Sequence, residues 1–237
     1  MKKVFAVVLI ASSLLAATTK DGLVKEYYDS GALREEIPYI GGNIEGNKKI
    51  YYESGKLKQE IPYKNNKPDG TAKGYFESGK LMWEAHYNNG EEDGTTRWFY
   101  ESGRLGLEIP YKNGEEDGVE KVYYESGKLM WEANFKDGKA EGVTKKYYES
   151  GTLMSETPQI AGKSTGLVKR YFESGKLMTA TNFSNGRPNG VEKGYFENGD
   201  LAWEATFRDG RLVGQKKCAD GRSGEENLDC WKQTAQR

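Results

Sequence analysis

The sequence predicts an all-β fold: an elongated, twisted single antiparallel sheet of about eight tandem 24-residue β-hairpin repeats. Three observations carry that prediction. Glycine recurs at 24-residue steps from Gly22 to Gly214, again from Gly31 to Gly199, and a third time from Gly42 to Gly210 with Asn66 in one place. Every period holds two short runs rich in aromatic and β-branched residues, separated by turn residues, which is hairpin patterning. A basic residue and a glutamate recur at spacings that bring them opposite each other once the hairpin closes. Helix is excluded, because two or three glycines at fixed places in every period would each cost roughly 1 kcal/mol.

Residues 1–17 differ from all that follows. Met1-Lys2-Lys3 is a short basic start, Val4 to Leu15 is apolar except for Ser12 and Ser13, and Ala16-Ala17 precedes polar Thr18-Thr19-Lys20. This three-part pattern reads as a secretory signal peptide cleaved near Ala17, and places the mature protein in the periplasm, at the cell surface or outside the cell. Residues 18–21 form a short N-terminal segment, and 22–213 hold the eight repeats without insertion or deletion. Residues 214–237 begin like a ninth repeat and abandon the pattern at Cys218, so they read as a C-terminal cap, packed by Trp231. Cys218 and Cys230 are the two cysteines of the chain. In an exported protein such a pair reads as a disulfide, and closing the short loop would contribute about 3 kcal/mol in the chain-entropy model.

The repeat from Gly70 to Gly94 sets the expected register. If Ser78-Gly79 is a two-residue loop, Phe76 faces Leu81, Tyr75 faces Met82, Gly74 faces Trp83 and Lys73 faces Glu84. Asn198-Gly199 at the equivalent place in the eighth repeat is a strong two-residue hairpin signal. The Lys73–Glu84 pairing recurs as Lys25–Glu36, Lys49–Glu60, Arg97–Glu108, Lys121–Glu132, Lys145–Glu156 and Lys193–Glu204, and fails only where Lys169 meets Ala180. Side chains alternate along a strand, so the opposite face carries the indoles. Trp83 and Trp203 fall opposite Gly74 and Gly194, Trp131 opposite Val122, and Trp98 opposite Leu107: a large ring against a small or apolar neighbour.

Composition narrows the function. Hydrophobic residues are 36% and charged residues 30% of the chain, which suits one solvated sheet better than a round core. A net charge of −1 offers no field to attract nucleic acid. His86 is the only histidine, so neither a histidine metal cluster nor a Ser-His-Asp arrangement is expected away from it, and the recurring Ser54, Ser78 and Ser102 are turn residues. The acidic loops Glu91-Glu92-Asp93 and Glu115-Glu116-Asp117 lack the ligand spacing of a calcium loop. Turn glutamates such as Glu77 and Glu125 repeat identically beside basic residues, which is not how an acid–base pair is arranged. No enzyme, metal or cofactor is expected.

The unit G-x-x-x-x-Y-[YF]-E-S-G-x-L-x-x-E-x-x-[YF]-x-x-G, seen well from Gly118 to Leu129, resembles the bacterial variant of the MORN (membrane occupation and recognition nexus) repeat. The resemblance spans 22–213. It implies consecutive hairpins in an elongated sheet, a role in protein association and in some members membrane or phospholipid contact, and no catalytic residues. Some bacterial members are labelled antitoxin components of toxin–antitoxin pairs, a role that fits an exported chain poorly.

The expected function is therefore a non-catalytic exported scaffold for protein–protein interaction or adhesion. The alternatives are a cell-wall glycan or lipid-surface binding module, and an antitoxin-like inhibitor of a neighbouring protein. The candidate binding surface is where repeats differ: the indoles Trp83, Trp98, Trp131 and Trp203, then Gln159 in place of an aromatic, Thr179 (like Ser155) in place of an indole, and Ala180 in place of glutamate.

Overall fold

Residues 20–214 and the strand Lys217–Cys218 are described by the computed structural model. The expected signal segment, Cys230 and Trp231 lie outside the described residues. The described chain forms one antiparallel sheet of 23 strand segments, with no helix among them. Each of the eight repeats supplies a first strand such as Gly70–Tyr75 and an eight-residue second strand such as Leu81–Asn88. Short return segments such as Glu91–Glu92 lead into the next repeat.

The hairpin register holds in the body of each repeat and departs from expectation at its tip. Lys73 faces Glu84 and Gly74 faces Trp83 as expected, yet Tyr75, not Phe76, faces Leu81. The turn has three residues, Glu77 to Gly79, closed by Phe76 N–H donating to the Lys80 carbonyl at 2.9 Å. Gly79 takes the left-handed conformation with φ 86°, as a type I turn with a following glycine bulge requires. A longer turn would shift every later pair by one, but Met82 is extruded as a β-bulge and restores the register. The two departures cancel, which is why the inner pairs were predictable from a wrong turn. Asn198-Gly199 follows the same pattern, with Gly199 at φ 98° and Phe196 bonded to Asp200, so it is not the two-residue turn its dipeptide suggests. The bulge residue is Arg34, Lys58, Met82, Gly106, Met130, Met154, Met178 or Ala202 in successive repeats.

The true two-residue turn lies at the other end of the second strand. Asn89 and Gly90 have φ of 50° and 96° between paired Asn88 and Glu91, the signature of a type I′ hairpin. Its amides are tied to the repeat's own start: Asn89 N–H donates to the Asp69 carboxylate at 3.2 Å, and Gly90 N–H to the Pro68 carbonyl at 2.8 Å. The chain then bends at a glycine that must be bare. A Cβ on Gly118 would lie 2.9 Å from Pro110 Cγ, and its φ is 124°.

Pairing between repeats continues the same register. Glu84 of one repeat faces Arg97 of the next, and Glu108 faces Lys121. One sheet face therefore carries a row of alternating charge from Lys25 to Glu204, interrupted only at Ala180. Tyrosines reinforce it: Tyr51, Tyr123, Tyr147 and Tyr171 donate their hydroxyls to Glu36, Glu108, Glu132 and Glu156 at 2.8–3.2 Å. On the other face the core is a central row of small side chains. Ala72, Ala85, Ala133 and Ala205 are buried, as are Thr96, Thr144 and Thr181. Bulky rings flank that row on both sides, which is how a single sheet shields its midline.

Candidate functional site

The indole face is the part of the sheet where repeats differ most, and strand alternation aligns its side chains into rows. Along the outer row, paired residues read Gly74, Trp83, Trp98, Leu107, Val122, Trp131, Lys146, Ser155, Arg170, Thr179, Gly194, Trp203 and Cys218. This single row collects four predicted indoles and Thr179. Gln159 lies on the same face in the ring-bearing row opposite Gly142, and its Oε1 is buried without a hydrogen-bond partner. Ala180 does not join them. It faces Lys169 on the charged face, so its substitution breaks the charge row instead of shaping the indole surface.

The four indoles play different parts. Trp83 lies flat over Gly74, where a Cβ would come within 2.1 Å of its Nε1, and its ring centroid is 5.9 Å from that of Trp98. Trp98 is 38% exposed, enough to be touched. Trp131 meets Phe135 edge-on at 6.3 Å. Trp203 is only 6% exposed and packs with Ala202, Ala205, Phe196 and Phe207, so it belongs to the core near the C-terminal end. Beside it Cys218 is buried and pairs with Trp203.

A cleft of about 480 Å³ opens between the fifth and sixth repeats, lined by Val122, Tyr124, Met130, Trp131, Lys146, Tyr147 and Met154. Ser155 faces Lys146 here, at the position where the preceding repeat carries Trp131. Met130 and Met154 are the bulge residues of those two repeats. The volume and apolar lining are those of a ligand-sized recess with one cation at its rim.

The electrostatics of this face were only partly legible. Glu120 occupies the central row opposite Ala133, where the other repeats mostly place Val, Ala or Thr. Burial, then the neighbouring Glu116 carboxylate, push its pKa up to about 7. Burial raises Glu116 as well. Tyr111 is pushed up to about 12 by burial and by Glu92, Glu116 and Glu120, and Tyr87 is also raised, by burial and by Glu92, to which its hydroxyl donates at 3.0 Å. Glu120 was not singled out from the sequence; the register, which sets it opposite Ala133, reveals it. His86 sits on the charged face, where its Nδ1 is 2.9 Å from the Thr71 hydroxyl and its Cβ abuts Gly94.

Comparison with protein families finds the family described as MORN repeat variant, matched in eight tandem segments at residues 20–40, 44–65, 68–89, 92–113, 116–137, 140–159, 164–185 and 188–209. Comparison with curated proteins gave no match.

Proposed function

The chain belongs to the MORN repeat variant family, and from that premise we propose that it is an exported scaffold that binds a partner protein through its indole face. Repeats of this family are protein- or lipid-binding modules of a non-catalytic type. The observation that carries the choice of face is the contrast between the two. The charged face largely neutralises itself, its cations alternating with carboxylates except beside Ala180, and Arg97 stands between Glu84 at 3.2 Å and Glu108 at 3.1 Å. The indole face instead leaves Trp98 open and a cleft beside Trp131. Exposed aromatic residues around a recess are the usual anchors of protein interfaces.

Immobilised protein is expected to retain a specific protein from envelope or host-surface extracts, and the double variant Trp98→Ala, Trp131→Ala to lose it. Capture no better than with a scrambled-sequence control sinks the reading. Export is tested separately by fractionation: mature protein lacking the first 17 residues in the envelope or medium is the expected result. The tilted Trp83–Trp98 pair also favours a second reading, a cell-wall glycan stacked on the rings. Sedimentation with purified peptidoglycan, weakened by Trp98→Ala, with no protein retained from the extracts, distinguishes it.

A further inference from the structure

We propose that the cleft between the fifth and sixth repeats, with Lys146 at its rim and Arg170 two strands beyond, takes an acidic peptide segment that carries an apolar anchor residue. The inference rests on the protein-binding reading above and specifies where on the face the partner docks and what chemistry it presents.

The cations argue first. On the charged face Lys25, Lys49, Arg97 and Lys193 each meet the glutamate of their own hairpin within 2.9–3.7 Å. Lys146 and Arg170 are exposed on the opposite face, and neither has an ion-pair partner among the described residues. Their row neighbours are Trp131, Ser155 and Thr179, with no carboxylate in line. The carboxylates of this face near them, Glu120 and Glu192, stand in the central row, and Glu192 already accepts from the Thr181 hydroxyl at 3.0 Å. In other repeats the two positions hold uncharged residues or Glu26, so nothing in the fold demands cations here.

Geometry adds the second part. Lys146 and Arg170 lie two strands apart, roughly 10 Å at the usual strand spacing. An extended segment covers that span in about three residues. Two acidic residues at that separation meet both cations, while a neighbouring apolar side chain enters the recess formed by Val122, Met130, Trp131 and Met154. Two methionines make a recess that accepts either an aliphatic or an aromatic anchor, because the thioether chain is flexible and polarizable. The Ser155 and Thr179 hydroxyls supply hydrogen bonds to the segment's backbone or carboxylates.

The probe is a fluorescein-labelled octapeptide with a Leu-Phe centre flanked by two glutamates on each side, titrated by polarisation against the full chain. Saturable binding is expected. Lys146→Glu with Arg170→Glu is expected to weaken it roughly tenfold or more, as two lost and reversed ion pairs imply. Replacing the peptide's glutamates by glutamines, or its Leu-Phe by Gly-Gly, is expected to weaken it similarly. Arg208→Glu with Arg211→Glu, a pair facing each other near the C-terminal end of the sheet, is the charge-matched control and should leave binding within about twofold of the parent. The proposal is overturned if no peptide binds, if the control pair weakens binding as much, or if a polygalacturonate oligomer binds the Lys146/Arg170 site while the peptide does not. Partner capture that survives Lys146→Glu with Arg170→Glu removes this site and leaves the scaffold reading standing. Absence of any captured partner removes the scaffold reading itself.

Discussion

Ala161 fills the first position of a type I′ turn that glycine, asparagine or aspartate occupies in the other seven repeats, and it does so at φ 49°. An L residue without a helpful polar side chain is disfavoured there by roughly 1–2 kcal/mol. Ala161→Asn keeps the backbone N–H that donates to Glu141 at 2.8 Å, and is expected to stabilise the protein by about 0.5–1 kcal/mol. An unchanged urea midpoint would refute it. Glu120 makes a prediction of opposite character. Its folded pKa of about 7 is above its ordinary value, so the folded state holds the proton more tightly than the unfolded chain. Its contribution is therefore most favourable at acid pH and is lost as pH rises from about 4.5 to about 7. Glu120→Gln should flatten that part of the stability–pH curve and raise the thermal midpoint above pH 7. Parallel parent and variant curves between pH 4 and 8 would contradict the assignment. The turn at Ala161 was marked in the sequence by Gly162 and only the strain of its first position was not, whereas the desolvation of Glu120 needed the facing neighbours that the register supplies.

At the scale of the hairpin, the body was legible because cross-strand charge has a period that no other register satisfies. The tip was not, since Ser-Gly and Asn-Gly both permit a two-residue turn and sequence gives no sign of an extruded residue such as Met82. The bulge can be recognised in retrospect, because all four methionines of the repeats, Met82, Met130, Met154 and Met178, fall on it. Neighbouring hairpins are joined by a second device that the sequence showed only as a paired aromatic. The Tyr28, Tyr52, Tyr100, Tyr124 and Tyr148 hydroxyls each donate to a main-chain carbonyl of the next repeat at 2.7–2.8 Å. Phe76, Phe172 and Phe196 lack that link. Tyr124→Phe should cost about 1 kcal/mol, and hydrogen exchange should quicken in the fifth and sixth repeats first. Uniform exchange across the array would show that the link does not couple neighbours.

Across the whole molecule, each repeat touches mainly the ones beside it, so stability is the sum of repeat and interface contributions. The charge row is one such contribution, and its single gap is a place to test it. Ala180→Glu would stand between Lys169 and Lys193 and is expected to add a few tenths of a kcal/mol, an increment that fades at high salt. A destabilised variant at low salt would show that the gap serves another purpose. The partner chemistry was the least legible part. Repetition marks what folding needs, while recognition rests on a few departures whose facing neighbours only the register reveals; thus Ala180 and Thr179, adjacent in sequence, belong to opposite surfaces.

The extra turn residue and the extruded strand residue offset each other within one 24-residue unit. Whole units can consequently be duplicated or deleted in the gene without turning any later side chain to the wrong side. Each such event changes the distance between two docking points by a pair of strands, about 10 Å. The array behaves as a ruler whose graduations are inherited, and its reach can evolve independently of what it grips.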